Sequence, residues 1–274
     1  GAHIDIFAGL ETWLASLCQF GRPVVWLDFD NTAPHLDRRA LTRKNYFRCY
    51  SSDREGVRLA LDTLHKLGHR SIAFVECGAY GGQDWQRRRK EYVLEETRTR
   101  YRDLSVHVIA QHEEFWRHRM DRERCDILDH ADAIRRSLAR QYPLASESRM
   151  QSLLRDCLAQ DVPSLAAIAA RRDCTAVLAP NQWLAINYYY WFRFAGFEVP
   201  SDLSIIGFDN RLPFEAHPVS TVDFKLDYLG YAAAHALLGD VPVNADRQGN
   251  IPSLPAVLDR GTLGRPRTRA VTKS

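Results

Sequence analysis

Residues 174–210 determine the class of the fold, and they read CTAVLAPNQWLAINYYYWFRFAGFEVPSDLSIIGFDN. The run CTAVLAP is short and apolar, which predicts a buried strand. NQWLAINYYYWFRFAG has the length of a helix, and Gly196 supplies the stop signal. DLSIIGFD is a second apolar strand. A strand, a helix and a strand in this order predict a β-α-β unit with parallel strands.

The rest of the chain alternates in the same way. The predicted helices are IFAGLETWLASLCQF, DREGVRLALDTLHKLGH, DWQRRRKEYVLEETRTRY and DYLGYAAAHALLGD, and the further strands are PVVWLDF, RSIAFVEC, LSVHVIAQ and PAVLDRGT. Residues 112–160 predict two helices with a break near QYPLASES. PSLAAIAARRDCTAV begins like a DNA-reading helix-turn-helix, but strand-like residues and Pro180 follow, so we interpret it as a helix leading into a strand. The sequence therefore predicts an α/β protein with parallel sheets flanked by helices.

Composition excludes several classes of protein. The chain has 274 residues, of which 45% are apolar and 26% charged, as in globular domains. The formal net charge is only +3, and much of the basic excess lies in the final GRPRTRAVTKS, so a compact nucleic-acid-binding domain is not indicated. No apolar run approaches the roughly 20 residues of a membrane span, and no signal peptide is visible. A cytoplasmic location is predicted.

Cysteine and histidine spacing gives no sign of a disulfide framework or a metal site. The six cysteines form no C-x-x-C pair and are widely and irregularly spaced, which favours free thiols. His112, His118, Cys125 and His130 match no known set of zinc ligands, and the arginines between them indicate a solvated helix face. We expect neither a metal nor a cofactor.

The functional site is expected where the strands end. In open parallel sheets, ligands bind outside the carboxyl ends of the strands. Here those ends read LDFDN, VECGAYGGQDW, LAPNQ and GFDNR. Their carboxylates, amides and arginines are hydrogen-bonding groups suited to a polar ligand.

One strand end also resembles a catalytic motif. Residues 28–32 spell D-x-D-x-T, the first motif of haloacid-dehalogenase-type phosphatases, in which the first aspartate, here Asp28, is the nucleophile. That chemistry also needs a lysine for the phosphate and a late acidic pair for magnesium. The late stretch SIIGFDNRLPFE has one carboxylate at the strand end itself, that of Asp209, rather than a pair, and no lysine follows a strand end suitably. The phosphatase stays a remote alternative.

Three stretches resemble the effector-binding core of the lactose-repressor/galactose-repressor family. They are DREGVRLALDTLHKLGHRSIAFVE, the opening stretch 174–210, and HPVSTVDFKLDYLGYAAAHALL. The family signatures are Leu-Gly-His-Arg before a strand, the run VPSDLSIIGFDN, and a Pro-x-Ser-Thr-Val stretch, found here at 67–70, 199–210 and 218–222. They occur in the order of the family and at roughly its spacing.

This resemblance implies a two-lobed, type I periplasmic-binding-protein-like fold. Residues 1–70 plus 224–252 are expected to form the N-terminal lobe, and residues 71–223 plus 253–274 the C-terminal lobe, with crossovers near Arg70, Asp223 and Pro252. The family core normally opens with two further β-α units, so we expect the first lobe to be incomplete at its N-terminus. The DNA-binding head of the family has no counterpart in these residues.

The resemblance also implies a set of ligand-binding residues. Asp28 matches the cleft carboxylate of the first lobe, and Asp209 that of the second. Arg88 precedes Glu91-Tyr92, which stands where the family has Gly-Phe. Asn181 matches the first residue of an Asn-Asp pair whose acid is here Gln182. Trp85, Trp116 and Trp183 are candidates to cover one face of a sugar ring, and Trp183 is favoured among them. Each also has a structural role available to it, such as N-cap for Asn181.

The predicted function follows from the same resemblance. We expect a non-enzymatic sensing domain of a bacterial transcription regulator, in which a small polar ligand, a carbohydrate, binds between the lobes and changes their equilibrium. DNA binding is expected only through a head outside this chain, and a homodimer is expected. The alternative is an extracytoplasmic sugar-binding protein of a transporter.

Overall fold

The computed structural model describes residues 10–29, 45–76, 84–110, 127–210 and 217–267. Its helices are α1 Leu10–Gln19, α2 Asp53–Leu67, α3 Asp84–Thr99, α4 Ile127–Gln141, α5 Glu147–Asp161, α6 Pro163–Ala170, α7 Gln182–Phe194 and α8 Leu226–Leu238. Its strands are β1 Val24–Asp28, β2 Tyr46–Tyr50, β3 Ser71–Glu76, β4 Ser105–Ala110, β5 Ala176–Leu178, β6 Ser204–Phe208, β7 Ser220–Asp223, β8 Asn250–Pro252 and β9 Ala256–Leu258.

The chain forms two compact units. The first contains Gly1–Asp53 and Phe224–Pro255, and the second contains Arg54–Asp223 and Ala256–Ser274. The chain therefore passes from one unit to the other three times. The sequence predicted the first passage near residue 70, whereas the contacts group residues 54–70 with the second unit.

The reason for this difference is the packing of α2 on α3. Glu96 of α3 is buried, and its Oε1 lies 2.8 Å from Nε of Arg54 and 3.0 Å from Nε of Arg58, both on α2. Burial acts to raise the pKa of Glu96, but the two guanidinium groups outweigh it and hold the pKa below its usual range. These two ion pairs join α2 to α3 within the second unit.

The first unit contains a small parallel sheet. Its strand order is β1-β2-β8, with Asp28 beside Tyr50 and Tyr50 beside Pro252. Helix α8 covers the sheet with small apolar side chains, among them Ala232 and Ala236, and these pack with Ile251. Helix α1 packs Leu14 and Cys18 against Tyr46 of β2.

The second unit contains a six-stranded sheet of order β4-β3-β5-β6-β7-β9. Every neighbouring pair is parallel except β7 and β9, which are antiparallel. The core is apolar and includes Tyr188, Trp191 and Phe192 of α7, all fully buried. The aromatic run YYYWF thus contributes mainly to the core, because successive helical positions point around the whole helix.

The predicted alternation of helices and parallel strands is confirmed, including the break between α4 and α5 and the helix α6 that leads into β5. Three strands were missed. β7 and β8 have only four and three residues, and β2 reads YFRCY, in which Arg48 interrupts the apolar pattern. The missed strands β7 and β8 show too little periodicity of their own, and β2 was missed because of its arginine rather than its length.

Strand β9 differs from the predicted parallel arrangement for a geometric reason. The chain leaves the second unit after Asp223 and returns at Ala256, and these two residues are register partners. Because exit and return lie at the same point of the sheet edge, β9 must run back along β7. A parallel neighbour would need a crossover connection within the unit.

Gly207 of β6 allows α7 to approach the sheet closely. A Cβ atom at this position would lie 2.8 Å from the Cβ of Ala185 and 2.8 Å from the carbonyl oxygen of Asn181. Both atoms belong to the first part of α7 or its cap. Glycine is therefore needed here because of the close backbone approach.

We expect Gly207→Ala to lower the free energy of unfolding by about 1–3 kcal/mol, because the added methyl group overpacks this contact. Gly230→Ala is the matched control: Gly230 lies in α8, where an added methyl group would have nothing within 4 Å of it, and alanine there should raise helix stability. Urea unfolding of the two variants should give changes of opposite sign. Equal stability of Gly207→Ala and the wild type would contradict the proposed close approach.

His69 is buried between two segments of the second unit. Its Nδ1 lies 2.8 Å from Oγ1 of Thr175, and its Nε2 lies 3.0 Å from the carbonyl oxygen of Gly264. A carbonyl oxygen only accepts hydrogen bonds, so Nε2 carries the proton of the neutral ring. Burial lowers the pKa of His69, and Arg70 lowers it further.

Stability should therefore fall at acid pH in a manner that depends on His69. As the pH falls below the unfolded pKa of about 6.5, the unfolded chain takes up a proton that the buried ring resists. Above that pH, the contribution of the neutral His69 ring to the free energy of unfolding is fully present. Between pH 7 and 5, the wild type should lose more stability than His69→Asn, measured as the pH dependence of the urea midpoint. Identical slopes for the two proteins would refute this assignment.

Candidate functional site

The carboxyl edge of the six-stranded sheet collects the polar residues of the second unit. β3 ends at Glu76, β5 leads through Pro180 to Asn181, and β6 leads to Asp209. These strands are parallel, so their ends share one edge. Lys90 of α3 reaches the same edge, with its Nζ 2.5 Å from Oε1 of Glu76.

Arg89 of α3 is the centre of this edge. Its side chain is 7% exposed; Nη1 donates to the carbonyl oxygen of Pro180 at 2.7 Å, and Nη2 donates to Oδ1 of Asp209 at 2.8 Å. The guanidinium group also lies 5.1 Å from the ring centroid of Trp85 and 5.0 Å from that of Phe208. One planar cation therefore joins α3 to the ends of β5 and β6.

Asp209 adopts a backbone conformation that most residues avoid. Its φ is 98°, and the next residue, Asn210, has φ 48°. Aspartate and asparagine tolerate this region better than other residues that have a side chain. The backbone N–H of Asp209 donates to Val222 of β7 at 2.9 Å, and Oδ1 of Asn210 accepts from Nη2 of Arg260 at 2.7 Å. The turn is thus fixed on both sides, while the Asp209 side chain stays 22% exposed.

Asn181 and Trp183 stand at the start of α7. Oδ1 of Asn181 accepts from the backbone N–H of Leu184 at 2.8 Å, so the side chain is the N-cap of the helix. The Asn181 side chain is half-buried, and its amide nitrogen is not used by that cap bond. Trp183 is half-buried and packs against the main core. The structure thus places Asn181 beside Pro180, the residue that Arg89 holds, and Trp183 in the first turn of the helix.

Arg88 stays the predicted ligand contact, and Arg89, which the sequence analysis did not single out, is the arginine that pairs with Asp209. Helical spacing in the sequence could have identified Arg89 as a buried residue. The buried positions of α3 include Gln86, Arg89, Val93 and Glu96, which recur every three or four residues. The Nε and Nη2 atoms of Arg88 are buried without a hydrogen-bond partner in the described part of the chain.

Comparison with known proteins identifies the fold. Residues 61–263 match the model of the periplasmic binding protein-like domain family. The chain belongs to this family. The predicted resemblance and the two-lobed α/β fold class are thereby confirmed.

Individual relatives of this periplasmic binding protein-like chain are transcriptional regulators. It is 28% identical over 131 residues to the HTH-type transcriptional regulator MalR of Streptomyces coelicolor, covering 46% of this chain and 38% of the regulator. A LacI transcriptional regulator from a Rhodococcus species has a similar structure, with a TM-score of 0.53 at 18% identity, over 97% of this chain and 76% of that one. A LacI family regulator from Arthrobacter sp. FB24, solved in complex with lactose, has a TM-score of 0.51 at 16% identity, over 91% and 75%. This chain spans well under half of the curated relative.

Asp28, the predicted contact of the first unit, is buried beside Arg48. Its Oδ2 lies 2.8 Å from Nε and 2.7 Å from Nη2 of Arg48, and the guanidinium group stands 4.4 Å from the ring centroid of Tyr50. A carboxylate that is 2% exposed and ion-paired is poorly placed to attack a phosphate. Asp30 and Thr32 lie outside the described residues.

Metal-binding groups and membrane-spanning helices are absent from the described parts of this periplasmic binding protein-like domain. In those ranges, no three His, Cys, Asp or Glu residues are grouped so that they could hold a metal ion. His112, His118 and Cys125 fall outside the ranges. None of the helices described is both long enough and apolar enough to cross a membrane.

Replacing Arg89 by lysine should test its bridging role. An ammonium group cannot bond the Pro180 carbonyl and the Asp209 carboxylate in the planar geometry of a guanidinium, so we expect Arg89→Lys to lose about 1–3 kcal/mol of unfolding free energy. Arg87→Lys is the control, because Arg87 lies two residues earlier on the same helix and its side chain is 57% exposed. This substitution should change the free energy of unfolding by less than about 0.5 kcal/mol. Denaturant unfolding measures both. The bridge is excluded as a stabilising element if the two variants are equally stable.

Proposed function

We propose that this domain senses a small polar effector, a carbohydrate, on behalf of a transcriptional regulator. The observation that carries the proposal is the ordered carboxyl edge of the second unit, where Arg89 holds Asp209 in position and leaves part of its carboxylate accessible. A carboxylate of fixed orientation is a strong acceptor for sugar hydroxyls. Family membership and the regulators among the relatives support the same conclusion.

The proposed ligand contacts combine acceptors, donors and an aromatic surface. Asp209 accepts from hydroxyl groups, and Asn181 offers the amide nitrogen that its cap bond does not use. Arg88 brings two buried nitrogens that have no acceptor in the described part of the chain, and a ligand oxygen would satisfy them. Trp183 stays a proposed stacking surface. Asp28 in the first unit stays a predicted contact; it is buried against Arg48 here, so a ligand would have to displace part of that ion pair to reach it.

The regulator hypothesis is favoured over the two alternatives, a transporter component and a phosphatase. The curated relative and the similar solved structures are transcriptional regulators. We propose that the ligand acts by binding one conformation of the domain more tightly than another, since only differential affinity shifts such an equilibrium. Control of DNA binding would require a DNA-binding head domain in addition to the two units described. A homodimer, a cytoplasmic location and the lack of enzymatic activity remain part of the proposal.

A thermal-shift screen tests the carbohydrate assignment. A ligand that binds only the folded protein raises its Tm by mass action. In a panel of monosaccharides and disaccharides that includes lactose, we expect at least one sugar to raise the Tm of the wild type in a concentration-dependent way. Asp209→Asn should abolish the shift, because an amide is a weaker acceptor than a carboxylate.

Asp156→Asn is the matched control for this screen. Asp156 is exposed on α5 of the same unit and lies outside the carboxyl edge. It should keep the full sugar-dependent shift. A panel in which no sugar stabilises the wild type would contradict the carbohydrate assignment, and an unchanged shift in Asp209→Asn would contradict the site.

A further inference from the structure

A cavity of about 410 Å³ lies in the second unit at the opposite edge of the sheet. Thr175, which precedes β5, and Leu203, which precedes β6, both line it. Since β5 and β6 are parallel, the cavity opens at their amino ends, whereas Arg89 and Asp209 stand at the carboxyl ends. Helix α7, about 20 Å long for its 13 residues, separates the two places.

The cavity has an apolar floor and a basic rim. The apolar residues that line it are Ile168, Ala169, Cys174, Phe192, Phe197 and Leu203. The charged residues that line it are Arg155, Arg171, Arg172, Arg267, Asp173 and Asp202.

The lining of the cavity carries more positive than negative charge, with four arginines and two aspartates. Arg267 is paired with Asp202, its Nη1 lying 2.5 Å from Oδ1. In the described part of the chain, by contrast, Arg155, Arg171 and Arg172 form no ion pair; Nε of Arg155 donates to the carbonyl oxygen of Ala195 at 2.7 Å. Three guanidinium groups at one opening therefore have no carboxylate of their own among the described residues.

A backbone turn places Arg171 and Arg172 next to each other at the opening. The N–H of Cys174 donates to the carbonyl oxygen of Arg171 at 3.1 Å and closes a tight turn that carries Arg172. Asp173 in that turn is already engaged, since its Oδ2 accepts from Oγ of Ser71 at 2.8 Å. The turn thus fixes the backbone positions of Arg171 and Arg172, whose side chains are exposed at the opening.

Gly196 keeps the wall next to Arg155 open. Its φ is 84°, and a Cβ atom there would lie 3.0 Å from Nη2 of Arg155. The side chain of Gln151 bonds the last carbonyls of α7, with Nε2 2.5 Å from the oxygen of Phe194. Gly196 therefore ends α7 and leaves space for the guanidinium group of Arg155.

We propose that this cavity binds a small phosphate monoester with an apolar body. A phosphate dianion carries up to two charges and three acceptor oxygens, which match several guanidinium groups better than a single carboxylate does. The apolar floor accommodates a ring or a short chain, and the volume lies within the range of small-molecule sites. The assignment concerns a second site and does not rest on the proposed carbohydrate function.

Isothermal titration calorimetry of the full chain with phenyl phosphate tests the proposal. Phenyl phosphate should bind, and benzoate and inorganic phosphate should each bind more weakly, because the first has less charge and the second has no apolar body. Benzyl alcohol should show no binding. Raising the ionic strength from about 0.05 to about 0.5 M should weaken the binding of phenyl phosphate, since the rim is exposed to solvent.

Variants locate the site. The double substitution Arg171→Gln with Arg172→Gln should weaken the binding of phenyl phosphate by about tenfold or more. The control, Arg136→Gln with Arg140→Gln, removes the same charge from exposed positions of α4 and should leave the affinity within about twofold of the wild type. Both arginine pairs are exposed, and the Tm of each variant verifies that it is folded.

Three results would overturn the proposal. The wild type fails to bind phenyl phosphate, the two double variants lose affinity equally, or inorganic phosphate binds as tightly as phenyl phosphate. The second result would indicate a general charge effect, and the third would indicate anion binding without use of the apolar floor. Failure of the sugar screen described above would not affect this site, because the two lie at opposite edges of the sheet.

Discussion

The buried guanidinium group of Arg89 is the interaction on which the carboxyl edge of the second unit depends. A charged side chain that is almost enclosed requires full hydrogen-bonding, and here the backbone of Pro180 and the carboxylate of Asp209 supply it. Both partners follow strands, and Arg89 itself comes from a helix, so one contact sets the relative positions of three elements. The left-handed backbone of Asp209 is maintained by the same contact together with its bond to Val222.

The six-stranded sheet gives this unit two chemically different edges. At the carboxyl edge, charges are paired internally, and the accessible groups are hydrogen-bond partners of fixed orientation. At the amino edge, arginines outnumber the carboxylates that line the cavity with them, and they surround an apolar floor. Helix α7 contributes to both edges, with Asn181 at its start and Phe192 near its end. The first edge suits a neutral polar molecule, and the second suits an anion.

The connectivity explains features that no single element could show. The chain passes between the units at three points, so each unit is assembled from distant segments. The antiparallel strand β9 follows from the third passage, because the chain re-enters beside the residue from which it left. Helix α2 belongs to the second unit, and its Arg54 and Arg58 pair there with the buried Glu96 of α3.

The sequence by itself determined the class of the fold, the family and most elements, because apolar periodicity and the signatures at 67–70, 199–210 and 218–222 are local patterns. It also placed Asp209 and Asn181 at strand ends, where the edge of a parallel sheet brings them together. It did not single out Arg89 as the partner of Pro180 and Asp209, since that role depends on which face of α3 is buried against the ends of β5 and β6. It gave no sign of the basic cavity, whose lining comes from residues 155 to 267. Local sequence patterns determine the helices and strands. Which charged side chains form ion pairs depends on tertiary packing, because the partners come from distant parts of the chain.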